Sequence, residues 1–144
     1  RASGNGIRVI DSEFAASDSD LAGVRALYLE GATRASILGT ALSGREAALT
    51  ATGGGVKVRL KGGFVRDSAG VGIEASQFAR VFLEETAVTG NLGAGVSVRS
   101  GADFKASDAR FADNRDCALR VDGGFASLEN VKACAETARE HAQY

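Results

Sequence analysis

The sequence predicts an all-β fold in which short parallel strands stack as a wound coil, and three observations carry that prediction. Apolar residues recur at a fixed step: Ala35, Val58, Val81 and Phe104 stand 23 residues apart, and seven residues after each come Leu42, Val65, Val88 and Phe111. A third set, Leu27, Leu49, Ile73, Val96 and Leu119, runs at steps of 22, 24, 23 and 23. Self-similarity at a fixed period of this length marks a solenoid. The runs around these positions alternate apolar and polar residues, as in VFLE from Val81, VSVR from Val96 and LRVD from Leu119. That is the period of a strand with one buried face. Finally, proline is absent, so no ladder donor is lost, while 19 glycines supply turns.

Taken in order, residues 7–14 read as an incomplete first coil. The step from Ile7 to Ala35 is 28 rather than 23, which places five extra residues in a small protruding loop around residues 17–20. Residues 1–22 are therefore the partial coil with its loop, 23–131 the regular coils and 132–144 a cap or tail, all in one domain. Each regular unit holds three short strands, punctuated by turns such as Asp67-Ser68-Ala69-Gly70, Gly90-Asn91-Leu92-Gly93 and Asp113-Asn114-Arg115-Asp116. Gly53-Gly54-Gly55 precedes a strand, not a helix, and so reads as a turn and not a phosphate loop. After Val131 the pattern fades, with Cys134, Ala138 and Ala142 at helical spacing. Two readings stay open there: a short capping helix over the open end, or one more irregular coil.

Strands that repeat in one order, with no helical stretch between them, must stack in parallel and wind. Parallel crossovers are right-handed in about 98% of cases, so a right-handed wind is expected. Aliphatics every sixth position, as in a left-handed hexapeptide solenoid, are not seen, nor is a leucine-rich consensus. The expected fold is thus a single-stranded right-handed parallel β-helix of about five 23-residue coils.

Within the unit, an apolar strand leads to Asn or Asp in a tight turn, then Gly or Ala, then an alternating strand. It stands as AVTGNLGAGVSV at 87–98 and ARFADNRDCALRV at 109–121. On this motif the chain resembles the pectate-lyase-like right-handed parallel β-helix family over nearly its whole length. The resemblance is specific for fold and not for function, since this architecture hosts many activities. Within it, Asn91 and Asn114, 23 residues apart, are placed to begin an asparagine ladder between adjacent turns.

Composition excludes some function classes. A formal charge of −1 argues against a general nucleic-acid or anionic-membrane binder. No run approaches the roughly 20 apolar residues of a membrane span. The start, RASGNGIRV, has no initiating Met and no signal-peptide pattern, so the chain reads as a processed or excised piece of a secreted, surface or periplasmic protein.

Outward residues fall into columns. One reads Arg34, Lys57, Arg80, Asp103; its neighbour reads Arg8, Ser36, Arg59, Phe82, Lys105, and Lys61 adds a further cation. Stacked strands sit about 4.8 Å apart, so Arg34, Lys57 and Arg80 form a column of like charge. It is either a solvated face relieved by nearby acids or a site for an anion such as an acidic polysaccharide. A second sheet carries Tyr28, Thr50, Glu74, Ser97, Arg120 and, beside them, Glu30, Thr52, Ser76, Arg99, Asp122. The resemblance implies oligosaccharide binding along such a sheet, with Tyr28 for stacking and Glu74, Arg99, Arg120 and Asp122 for hydrogen bonds. A plain ion pair between Arg99 and Asp122, one coil apart, explains those two residues equally well.

No residue is assigned a catalytic role. Paired carboxylates for sugar hydrolysis need about 5–10 Å in a cleft, and the best pair, Glu30 and Glu74, lies two coils apart on a flat sheet. Asp18 and Asp20 fall short of calcium's six to eight oxygens, His141 reads as a surface residue, and no metal or cofactor is expected. The coil register places Glu140, not Cys134, over Cys117. A Cys117–Cys134 disulfide, which needs Cα atoms within about 7 Å, would require a tail that folds back; two free thiols are the other reading. The expected role is a non-catalytic structural or binding module that presents flat sheets to carbohydrate or protein. The alternatives are a carbohydrate-active lyase or hydrolase, or a piece of one, and a solenoid that self-assembles through its ends.

Overall fold

Alternating side chains need a dry face, and stacked coils supply it. The computed structural model describes residues 6–115, 119–129 and 142–143. Strands β1 (Ile7–Ile10), β2 (Glu13–Ser17) and β3 (Asp20–Glu30) open the chain, followed by β4 (Arg34–Leu38) and β5 (Ala41–Thr52) in the next coil. The third coil holds β6 (Lys57–Lys61), β7 (Phe64–Arg66) and β8 (Val71–Ser76). The fourth holds β9 (Arg80–Glu84), β10 (Ala87–Thr89) and β11 (Val96–Arg99), and the fifth β12 (Asp103–Ser107), β13 (Arg110–Ala112) and β14 (Leu119–Asp122). Strands β15 (Phe125–Glu129) and β16 (Ala142–Gln143) complete the order. Every pairing is parallel, and no helix occurs among the described residues. The fold is a parallel β-solenoid of about five turns.

One sheet has seven strands in the order β16-β15-β12-β9-β6-β4-β2. The other two faces count as one nine-stranded sheet, because β3 and β5 run on through a corner and pair on both sides of it. The three apolar columns stand in register as the repeat requires: Ala35 on Val58, Val81 and Phe104; Leu42 on Val65, Val88 and Phe111; Leu27 on Leu49, Ile73, Val96 and Leu119. From Ala35 onward these columns are buried, and with their neighbours they form one continuous core.

The start of the chain differs from expectation. Ile7 pairs with Leu27, and the residue stacked on Ala35 is Phe14, at a step of 21. No loop is inserted at 17–20: β2 ends at Ser17, β3 begins at Asp20, and Asp18 turns the corner at φ 48°. Arg8 accordingly stacks on Tyr28, and Ala15 takes the place beside Ser36. The cause is the short period-two run Ile7, Val9, which fits any face of the coil until its partner is known. At the other end, the capping helix, Cys117, Cys134 and His141 lie outside the described residues, while Ala142 and Gln143 pair with Ala126 and Ser127 as strand.

Buried polar groups at the corners are satisfied from coil to coil. Asn91 is fully buried. Its Oδ1 accepts from Ser68 N at 3.1 Å, and its Nδ2 donates to Val65 O at 3.4 Å and to Asn114 Oδ1 at 2.8 Å. Asn114 repeats the pattern, with Nδ2 donating to Val88 O at 3.0 Å. One coil before Asn91, the Ser68 Oγ accepts from Gly44 N at 3.2 Å. At another corner the Ser19, Thr40 and Thr86 hydroxyls each donate within their own coil, to the carbonyl two residues back, at 2.8–2.9 Å. The asparagine ladder expected from the sequence is present.

Two adjacent glycines show what a corner demands. Gly62 has φ 68° with nothing within 4 Å of a Cβ built on it, whereas a Cβ on Gly63 would lie 2.4 Å from Thr40 O. Gly62→Ala should therefore cost only left-handed strain, about 1 kcal/mol. Gly63→Ala must push a ladder backbone aside and should cost about 2–4 kcal/mol. Urea midpoints of the two variants check this, and the reverse order would contradict the register.

Candidate functional site

The outward side of the seven-stranded sheet is built by the odd positions of its strands. The first column reads Glu13, Arg34, Lys57, Arg80, Asp103. The second reads Ala15, Ser36, Arg59, Phe82, Lys105, and the third Ser17, Leu38, Lys61, Glu84, Ser107. The structure thus brings Arg34, Lys57, Arg59, Lys61, Arg80 and Lys105 onto one face. Arg59 is engaged: its guanidinium bridges to Glu84 and lies 5.6 Å from the centre of the half-exposed Phe82 ring. Among the described residues no carboxylate oxygen stands within 4.0 Å of the cationic nitrogens of Arg34, Lys57, Lys61, Arg80 or Lys105. A shallow depression of about 460 Å³ runs over the first two columns.

On the second face the charged groups around Tyr28 and Glu74 pair with one another, while Thr50 Oγ1 is buried without a hydrogen-bond partner among the described residues. Tyr28 has the Arg8 guanidinium 5.4 Å and the Arg25 guanidinium 5.9 Å from its ring centre. Arg8 also bridges to Glu30 at 2.5 Å, and this hydrogen bond holds the guanidinium above its ordinary range. Glu74 bridges to Arg99 at 3.5 Å, so Arg99 leans back to the preceding coil and not to Asp122 opposite it. Thr52 Oγ1 and Ser76 Oγ meet at 3.3 Å. Glu30 and Glu74 are each occupied by an arginine, and a sugar ring stacking on Tyr28 would have to compete with two guanidiniums. Arg120 completes the Tyr28 column at its far end, in register with Ser97.

A third feature had no counterpart in the sequence reading. A depression of about 510 Å³ is lined by the small residues Ala22, Gly23, Ala41 and Ser43 together with Asp20 and Arg66. Its only sequence signal is the run of small residues at outward positions of β3 and β5. Asp18 reaches over the next corner, where its Oδ1 lies 2.7 Å from where a Cβ on Gly39 would stand. Among the described residues no group of three His, Cys, Asp or Glu stands close enough to hold a metal ion. No described helix is long and apolar enough to cross a membrane.

Comparison of the chain with protein-family models, with curated proteins and with solved structures gives no match.

Proposed function

We propose that this chain is a non-catalytic binding module of the pectate-lyase-like, right-handed β-helix kind, carried by a secreted or surface protein. Its basic face takes an acidic polysaccharide. The observation that carries this reading is the stack of Arg34, Lys57 and Arg80, three cations in register with no described carboxylate within 4.0 Å. Like charges directly opposite on a sheet cost stability, roughly 0.2–1 kcal/mol per pair, and a bound polyanion removes that cost. The rigid ladder fixes the charges before binding, so little ordering entropy opposes association. The paired groups on the Tyr28 face give no comparable reason to bind, and the arginine-bound Glu30 and Glu74 speak against a hydrolase.

The test is Arg34→Gln, Lys57→Gln and Arg80→Gln combined. Affinity for an immobilised acidic polysaccharide should fall at least tenfold, about 1.4 kcal/mol, and its salt dependence should flatten. The variant should fold as well as the parent or slightly better, because the like-charge stack is relieved. As a control, Glu74→Gln with Arg99→Gln should leave retention unchanged. Full retention by the triple variant would dismiss the reading.

A further inference from the structure

We infer that the basic column is a reader of fixed length: it engages three successive anions of a polysaccharide laid along the solenoid axis, and Glu13 and Asp103 end the site. This rests on the acidic-polysaccharide reading and adds the ligand's direction, the number of charges engaged and the residues that set both.

Direction follows from which cations remain open to a ligand. Two lines of three cations cross at Lys57. One runs along the axis through Arg34, Lys57 and Arg80; the other runs along β6 through Lys57, Arg59 and Lys61. The row along the strand is interrupted, because Arg59 in its middle is bridged to Glu84 and lies against Phe82. Neighbouring strands do not extend it: β4 carries Ser36 and Leu38 after Arg34, and β9 carries Phe82 and Glu84 after Arg80. The axial column has no such break. Its charges repeat at the ladder step of about 4.8 Å and span about 10 Å from Arg34 to Arg80. A ligand that matches it bears one anionic group on each sugar, not on alternate sugars.

Length follows from the two acids. Glu13 stands in register with Arg34, and Asp103 with Arg80, at opposite ends of the stack. Neither closes to an ion pair within 4.0 Å of its neighbour. Each therefore remains a negative charge in line with the cations. A fourth anion in the same line would meet a carboxylate at either end, where repulsion opposes it. The site accepts three charges and rejects a fourth.

The experiment measures the salt dependence of binding for oligouronates of two to eight sugars, one carboxylate per sugar. The slope of log Kd against log salt counts the charges engaged. It should rise up to three sugars and then stay level, although affinity itself creeps upward as longer chains offer more registers. In Glu13→Gln with Asp103→Asn, near-isosteric changes at an exposed and a half-buried position, the slope for the octamer should steepen and its affinity should rise roughly three- to tenfold. The trimer should gain less than the octamer, because its end anions lie one ladder step from the acids and not in line over them, and Lys57→Gln should weaken the trimer more than Lys105→Gln does. A wild-type slope that keeps climbing with length, or an acid variant that shifts trimer and octamer equally, overturns the inference while the binding function stands. Absence of binding by every oligomer overturns both.

Discussion

Asn91→Ala is expected to remove several kcal/mol of stability and to bring the domain close to unfolding at room temperature. The side chain is fully buried and is used at both ends: Oδ1 accepts from Ser68 N, while Nδ2 donates to Val65 O and Asn114 Oδ1. Truncation to a methyl takes these bonds from Ser68 N and Val65 O where water has no access, while Asn114 Oδ1 keeps the Asn91 backbone N–H. An orphaned buried polar group costs about 1–3 kcal/mol, so a loss of about 4 kcal/mol is expected against a total of about 5–15. Asn114→Ala should cost less, because its side chain, which also makes three hydrogen bonds, is 7% exposed and so closer to water. Asn91→Asp supplies a sharper check. A neutral acid can still donate to Val65 O, whereas a buried carboxylate can only accept, so folding should raise this acid's pKa above its unfolded value. The variant's stability relative to wild type should then be best at acidic pH, below the unfolded value near 3.9, and decline as pH rises. Chemical denaturation at pH 3.5 and pH 7 measures both effects. A loss below about 1 kcal/mol for the alanine variant would show that the ladder closes over the gap.

Much of this architecture is legible in the residues themselves. The columns headed by Ala35, Leu42 and Leu27 can be read because a 23-residue step and a period-two alternation leave one register that buries all of their aliphatics. Asn91 and Asn114 stand out for the same reason, being polar residues at equivalent positions of adjacent coils. Ile7 was misplaced because four residues of alternation carry no face assignment by themselves; only pairing with Leu27 supplies it. Ion-pair partners were illegible for a different reason. Columns name the residue directly opposite, but the bridges Arg8 to Glu30, Arg59 to Glu84 and Glu74 to Arg99 all run diagonally, to the residue two beyond the opposite one. Long side chains reach diagonal neighbours, and all three bridges lean the same way, as a uniform strand twist would bring about. The basic column was readable, but its open state was not, since whether Asp103 closes on Arg80 depends on side-chain direction. The depression over Ala22 and Ser43 was missed because small outward residues leave no signal in a hydropathy pattern.

Phe104→Ala should be the most destabilising change in the hydrophobic interior, at about 3–5 kcal/mol. Phe104 is fully buried, the largest such side chain described, and meets Phe111 edge to face at 6.4 Å and 80°. Its place in the repeat explains why a ring stands there. The inward pairs of the seven-stranded sheet read Ala35 with Ile37, Val58 with Leu60, Val81 with Leu83, and then Phe104 with Ala106. Where β4, β6 and β9 place a β-branched residue or alanine before a large aliphatic, β12 places its bulk first and an alanine second, as β2 does with Phe14 and Ala16. The ring therefore fills space that a leucine fills one coil before. Phe104→Val alone should open a cavity and cost about 1–3 kcal/mol, and Ala106→Leu alone should overpack the core and cost a similar amount. Together they restore the pattern of β6 and β9, and the pair should be less destabilising than the sum by at least about 1 kcal/mol. A double-mutant cycle in urea measures that coupling, and simple additivity would mean that the two sites do not share their volume. The same cycle bears on the surface, since Asp103 and Lys105 flank Phe104 on the outward side of β12. The double variant should keep the terminating carboxylate in register with Arg80, and with it the salt slope of the octamer. Phe104→Ala, which leaves the strand underpacked, should blur both.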